Sequence, residues 1–186
     1  MTIGATVGVI NKPVALQDME PMAGAGEVNI SEAIKKSGSV PTGYKGADGK
    51  VKVNRSNGAI VTTDKIEGND AGFFVAFKPV SVGGNRKMSL FIKGEIFQKQ
   101  GWDHYASIQV MDEDGERHII QEVCKEGKYG SCSGKDRTRP SAVRQGTTLS
   151  IKLPENLKSI SRVEVVFVGD TSVETGFTLK DIKLTK

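Results

Sequence analysis

An all-β fold, an antiparallel sandwich of two sheets, is what this sequence predicts. Three observations carry the prediction. From residue 50 onward, run after run alternates apolar and polar side chains, the period of a strand with one buried face. Turn dipeptides such as Asn57-Gly58 and Asp114-Gly115 separate those runs. The 186 residues include 22 glycines, 37% hydrophobic residues and only 6% aromatics, a profile that suits many turns around a modest core. No helical pattern separates the strands, which excludes a parallel α/β sheet.

The chain opens with MTIGATVGVI, where Ile3, Ala5, Val7 and Val9 fall on one face and Thr2, Gly4, Thr6 and Gly8 on the other. This is the pattern of an extended segment whose small-residue face lets another surface approach closely. We read residues 1–26 as an extended arm and 27–186 as a single sandwich domain. EVNISEAIKK, residues 27–36, is the one helical candidate, capped by Asn29 or Ser31 and ended at Gly38. PTGYKGADG, residues 41–49, reads as a loop.

VKVNRSNGAIVTT predicts a hairpin about Asn57-Gly58, because both residues tolerate positive φ. GFFVAFKPV (72–80) and MSLFIKGEIFQ (88–98) follow as strands, the second with a bend or bulge at Gly94. YASIQVMDEDGERHIIQEV predicts two strands joined at Asp114-Gly115. TTLSIKLP sets Leu149, Ile151 and Leu153 on one face and is ended by Pro154; RVEVVFVG turns Val163, Val165 and Phe167 inward. In GFTLKDIKLTK the buried set changes phase between Leu179 and Ile182, which predicts a bulge near Lys180-Asp181.

The cadence TLSIKLP, ENLKSIS, RVEVVFVG, GFTLKDIKL resembles the end of the jelly-roll carbohydrate-binding modules of the galactose-binding-like superfamily. Asp181-Ile182-Lys183-Leu184 is similar to their acidic, then aliphatic-x-aliphatic, last strand, and FKPVSVGGNRKMSLFIKG to their middle strands. The resemblance covers roughly residues 72–186. It implies a jelly roll, a structural calcium and stacking of sugars on exposed rings. The calcium candidates it gives are Asp18, Glu20 and Asp181, with Lys180 standing where the family often has a second acidic or amide residue. For glycans, QKQGWDHYASIQ gathers Trp102, His104, Tyr105, Gln98 and Gln109 within twelve residues. Tyr44 offers a further ring. The alternative for Trp102, the only tryptophan, is a loop anchor on the core.

The net charge is +4, and residues 121–145 carry six Lys or Arg against three acids. Interleaved charges of this kind mark a solvated loop, and with so few aromatics they argue against nucleic acid. No stretch approaches a membrane span, and none has the layout of a secretion signal. Cys124 and Cys132 enclose seven residues and admit either a small disulfide loop or two free thiols. His104 and His118 could complete a zinc set, although the spacing lacks tight ligand pairs. The acidic stretch Asp112, Glu113, Asp114, Glu116 offers paired carboxylates and the start of a calcium loop, but Asp-Gly already explains it as a hairpin turn. No nucleophile motif is present, so an enzyme is not expected.

These readings converge on a non-enzymatic binding protein with no certain cofactor. The first expectation is a virion-surface or capsid-decorating protein, made in a host cytoplasm, whose arm adds as a strand to neighbouring protein subunits. The alternative is a carbohydrate-binding module of a secreted glycan-degrading enzyme. On the first expectation, deleting residues 2–10 abolishes docking to partner subunits in co-sedimentation while the sandwich still melts cooperatively.

Overall fold

Alternating side chains need a partner surface for their apolar face, and here two sheets supply it to each other. The computed structural model describes residues 27–40, 51–54, 60–63, 66–67, 72–125 and 137–186. The arm residues 1–26, and with them Ile3, Ala5, Val7, Val9, Asp18 and Glu20, lie outside the described residues, as does Tyr44.

The strands are β1 (Glu27–Asn29), β2 (Ile34–Val40), β3 (Val51–Asn54), β4 (Ile60–Thr63), β5 (Ile66–Glu67), β6 (Gly72–Ser81) and β7 (Lys87–Gln98). They continue as β8 (His104–Met111), β9 (Arg117–Cys124), β10 (Arg137–Thr138), β11 (Thr147–Lys152), β12 (Ser159–Phe167) and β13 (Thr171–Thr185). A seven-stranded sheet has the order β11-β7-β13-β4-β3, with β1 and β5 also paired to β13; a six-stranded sheet runs β10-β9-β8-β12-β6-β2. Every pairing is antiparallel except the short β10 with β9. The hairpin of β3 and β4 pairs Asn54 with Ile60, so Asn57-Gly58 falls in the connection between them, outside the described residues.

The core lies between the sheets. Met88, Leu90, Ile92 and Ile96 of β7 face Ala106, Ile108 and Val110 of β8 and Val163, Val165 and Phe167 of β12, all buried. Phe73 and Phe167 come from the six-stranded sheet and Phe177 from the other; their ring centroids are 5.2 to 6.4 Å apart in tilted and edge-on geometry. Such ring pairs add about 0.5–1.5 kcal/mol beyond their buried area. Gly94 makes this possible, because a Cβ there would fall 2.5 Å from Phe177 Cδ2. The residue predicted to bend β7 is thus the seat on which Phe177 rests.

The phase change in the last strand is a bulge. Lys180 pairs with Phe91 and Lys183 with Ser89, so β13 carries one extra residue there, and Asp181 takes φ 53°. The backbone freed by the bulge is met from the other end of the domain. Ile182 N–H donates to Ser31 Oγ at 2.6 Å, and Ile182 C=O accepts Ile30 N–H at 2.9 Å. In β6, residues 77–79 opposite Ser161 are a second irregularity, and they hold Pro79, which has no N–H to give a ladder.

Two helical expectations are corrected. Residues 27–36 form a strand, a single 3₁₀ turn (Ser31–Ala33) and the start of β2. Asn29 Oδ1 accepts Ser31 N–H at 3.0 Å and closes a local turn, while Glu27–Asn29 adds to the edge of β13. Sheet pairing and the burial of the β-branched Ile30 and Ile34 override the weak helical spacing. Conversely, part of the stretch read as a solvated loop holds a helix, α1 (Pro140–Gln145), with Pro at its start and Gly146 at φ 91° past its end. That Pro-to-Gly arrangement is a helix signal. Val143 of this helix is fully buried.

Replacing Gly94 with alanine is expected to lower unfolding stability by about 1–3 kcal/mol through overpacking against Phe177. Ser31→Ala is expected to cost about 1–3 kcal/mol, because it orphans the Ile182 N–H. Urea unfolding of the two variants checks both; a change within a few tenths of a kcal/mol in either refutes the corresponding contact as a determinant.

Candidate functional site

Strand ends place the most exposed ring. β7 ends at Gln98 and β8 begins at His104, and the turn between them meets the turn Val168–Asp170 that joins β12 to β13. Gln98 Nε2 donates to Val168 C=O at 3.1 Å and to Thr171 Oγ1 at 2.9 Å. Gln100 N–H donates to Gln98 Oε1 at 3.0 Å, and Gln100 Nε2 to Asp170 Oδ2 at 2.6 Å. These amides clasp the two turns together. Trp102 rests on the clasp with half its surface exposed (49%). Gly169, at φ 59°, faces the ring so closely that a Cβ would lie 3.1 Å from Trp102 Cζ3. A side chain at 169 would displace the indole, so both the turn and the ring require glycine there.

The glycan candidates do not form one cluster. Trp102 and Gln98 meet at this corner. Tyr105 packs partly buried against the core. His104 Nε2 lies 3.2 Å from both Ala106 C=O and Ser107 Oγ and 3.6 Å from Glu122 Oε1. Gln109 lies on the outer face of the six-stranded sheet, level with Glu164 and Ile119. A strand advances about 3.3 Å per residue and alternates faces, so twelve residues of sequence proximity do not become one surface. Gln100, Gly169 and Asp170 complete the corner; the only trace of them in the sequence is the turn signal in VGDT.

Part of that outer face is covered by its own charges. Glu164 is fully buried, with Arg117 Nε at 3.0 Å from one carboxylate oxygen and Arg162 Nη1 at 2.8 Å from the other. The Arg162 guanidinium also lies 3.8 Å from the centre of the Phe74 ring and covers it. Trp102, Phe97 and Ile119 are the large apolar side chains left exposed among the described residues.

Serine, histidine and glutamate meet at Ser107, His104 and Glu122, but both side-chain contacts converge on His104 Nε2. A catalytic relay needs the nucleophile and the carboxylate on opposite ring nitrogens. Ser107 is also buried. The acidic stretch is a turn: Asp112 Oδ1 accepts the N–H groups of Asp114 and Glu116 at 3.0 and 2.9 Å, and Oδ2 meets His118 Nε2 at 3.1 Å. With His118 committed there and Cys124 disulfide-bonded, the zinc set does not assemble. The chain's other cysteine, Cys132, lies outside the described residues. Asp181 Oδ2 lies 3.8 Å from Lys180 Nζ. Its calcium partners in the expectation, Asp18 and Glu20, lie outside the described residues. No group of three His, Cys, Asp or Glu that could hold a metal occurs among the described residues.

No family model matches the chain, and no curated protein matches it. Among solved structures, the chain is similar to the family 11 carbohydrate-binding module of a cellulosomal cellulase of Clostridium thermocellum. Identity is 14%, coverage 86% of this chain and 94% of that one, and the TM-score 0.50. It is also similar to a variant of the family 29 module CBM29-2, at 11% identity over 87% of this chain and 92% of that one, with a TM-score of 0.48. The first likeness establishes a carbohydrate-binding-module-like jelly-roll fold, as the cadence of the last strands implied.

The Asp112 carboxyl is held below its ordinary value of 3.8, first by the hydrogen bond from His118 and then by the backbone N–H groups of Glu116 and Asp114, with partial burial opposing. A lowered folded value stabilises above the unfolded value, and the contribution is lost as pH falls through the folded value. Acidification from about pH 5 to about pH 2 is therefore expected to lower the melting temperature of the parent more than that of Asp112→Asn. Parallel melting curves across that range would refute this.

Proposed function

We propose that this chain is a non-catalytic glycan-binding sandwich whose ligand stacks on Trp102. The observation that carries the reading is the indole itself: a single tryptophan, half-exposed, seated on Gly169 and framed by Gln98, Gln100 and Asp170. A flat apolar ring meets the C–H face of a sugar, and the surrounding amides and carboxylate suit its hydroxyls.

Three further observations support the reading. The fold is that of a carbohydrate-binding module. The Ser107–His104–Glu122 contacts lack relay geometry, which favours binding over catalysis. The Cys124 disulfide suits an oxidising compartment, and hence a secreted location. No helix among the described residues is long and apolar enough to cross a membrane. The particle-surface expectation rests on the arm, outside the described residues, and no observation on the described ones favours it over glycan binding.

Trp102→Ala is expected to abolish retention on the insoluble polysaccharide that the parent binds, weakening affinity about tenfold or more while leaving the melting temperature unchanged. If the parent binds nothing on a broad glycan array, the reading falls.

A further inference from the structure

Among the described residues, the corner offers one ring rather than a row of rings. It sits where the turn after β7 meets the turn after β12. The outer face of the six-stranded sheet does not prolong it, because Arg162 covers Phe74 and both oxygens of Glu164 are paired. Phe97 does not prolong it either. It faces outward from the seven-stranded sheet, whereas Gln98, the next residue, turns toward β12–β13.

The polar frame has a sign. Both Gln98 donor contacts go to Val168 and Thr171, and Gln98 Oε1 is taken by Gln100 N–H. Gln100 Nε2 goes to Asp170. Most of the frame's donors are thus directed at its own acceptors. Asp170 keeps the most acceptor capacity to spare, since a carboxylate accepts at about four lone-pair sites and one of its oxygens has Gln100 as partner. Spare acceptors at this corner suit hydroxyl donors, and the carboxylate's negative charge disfavours acidic sugars.

We infer that the Trp102 corner takes the single terminal residue of an uncharged glycan, stacked on the indole with neighbouring hydroxyls donated to Asp170, rather than a stretch of chain interior. This rests on the glycan-binding reading above. Gly169 is its positioning residue, because it sets how flat the indole lies.

The chain has one tryptophan, so its emission reports this corner alone. The full chain is titrated with β-1,4-linked glucose, mannose, xylose and galactose oligomers of two to six units, alongside a glycan array that displays non-reducing termini. End-on recognition predicts an emission change with at least one series or arrayed terminus, and an affinity per chain that varies by less than about threefold between two and six units. Asp170→Asn is expected to weaken that binding about tenfold, and Gly169→Ala to reduce both the emission change and the affinity, with Asp170→Asn melting like the parent. An affinity that climbs about tenfold or more with chain length, still dependent on Trp102, overturns end-on recognition and leaves glycan binding standing. Asp170→Asn binding as well as the parent also overturns it. Binding without any change in emission places the ligand elsewhere and overturns the corner; no binding to any oligomer or arrayed glycan removes both readings.

Discussion

The contact between Phe177 and Gly94 is the constraint on which the sandwich depends. A side chain from the middle of the last strand crosses to Phe73 and Phe167 of the opposite sheet, and it can do so only because the neighbouring strand has no Cβ beneath it. The central pairing of β7 with β13 and the packing of sheet on sheet are thus set at one place. The strand pays for this regularity with two irregularities of its own, one between Val173 and Phe177 and one between Lys180 and Lys183. The second is tolerated because Ser31 and Ile30 supply the hydrogen bonds that the ladder cannot. The hydroxyl of Ser31 is buried and reaches across 151 residues of sequence, so the first described turn and the last strand form one unit.

Most of the strand content was legible from alternation alone. The two-residue period of β7 and β11 maps directly onto buried and exposed faces, and the loss of phase at Asp181 was visible as a break in that period. The failures have physical causes. Residues 27–36 place Ile30 and Ile34 at helical spacing, yet that spacing also fits a chain that turns once and crosses from one sheet to the other. Helix α1 was hidden because charge patterning was weighed above the Pro140 and Gly146 that bound it. At the site, the value of Trp102 could be read from its solitude among few aromatics. Its seat could not, because Gly169 and Asp170 lie nearly seventy residues away and are joined to it only by topology.

Charge in this protein is mostly spent on structure. Glu164 is held from two sides by arginines, Asp112 ties its own turn, and Lys183 holds Glu27 at 2.8 Å where β1 joins β13. Asp112, the first carboxylate of the acidic stretch, is thus engaged in its turn, and the buried Glu164 in its ion pairs.

The path of the last strand carries a directional consequence. β13 leaves the Trp102 corner at Thr171 and reaches Thr185 beside Glu27, a run of roughly 45 Å at ordinary strand rise. Glu27 and Thr185 therefore lie together at the pole opposite the indole. A label attached at Lys186 would sit at the far end of the domain from the tryptophan.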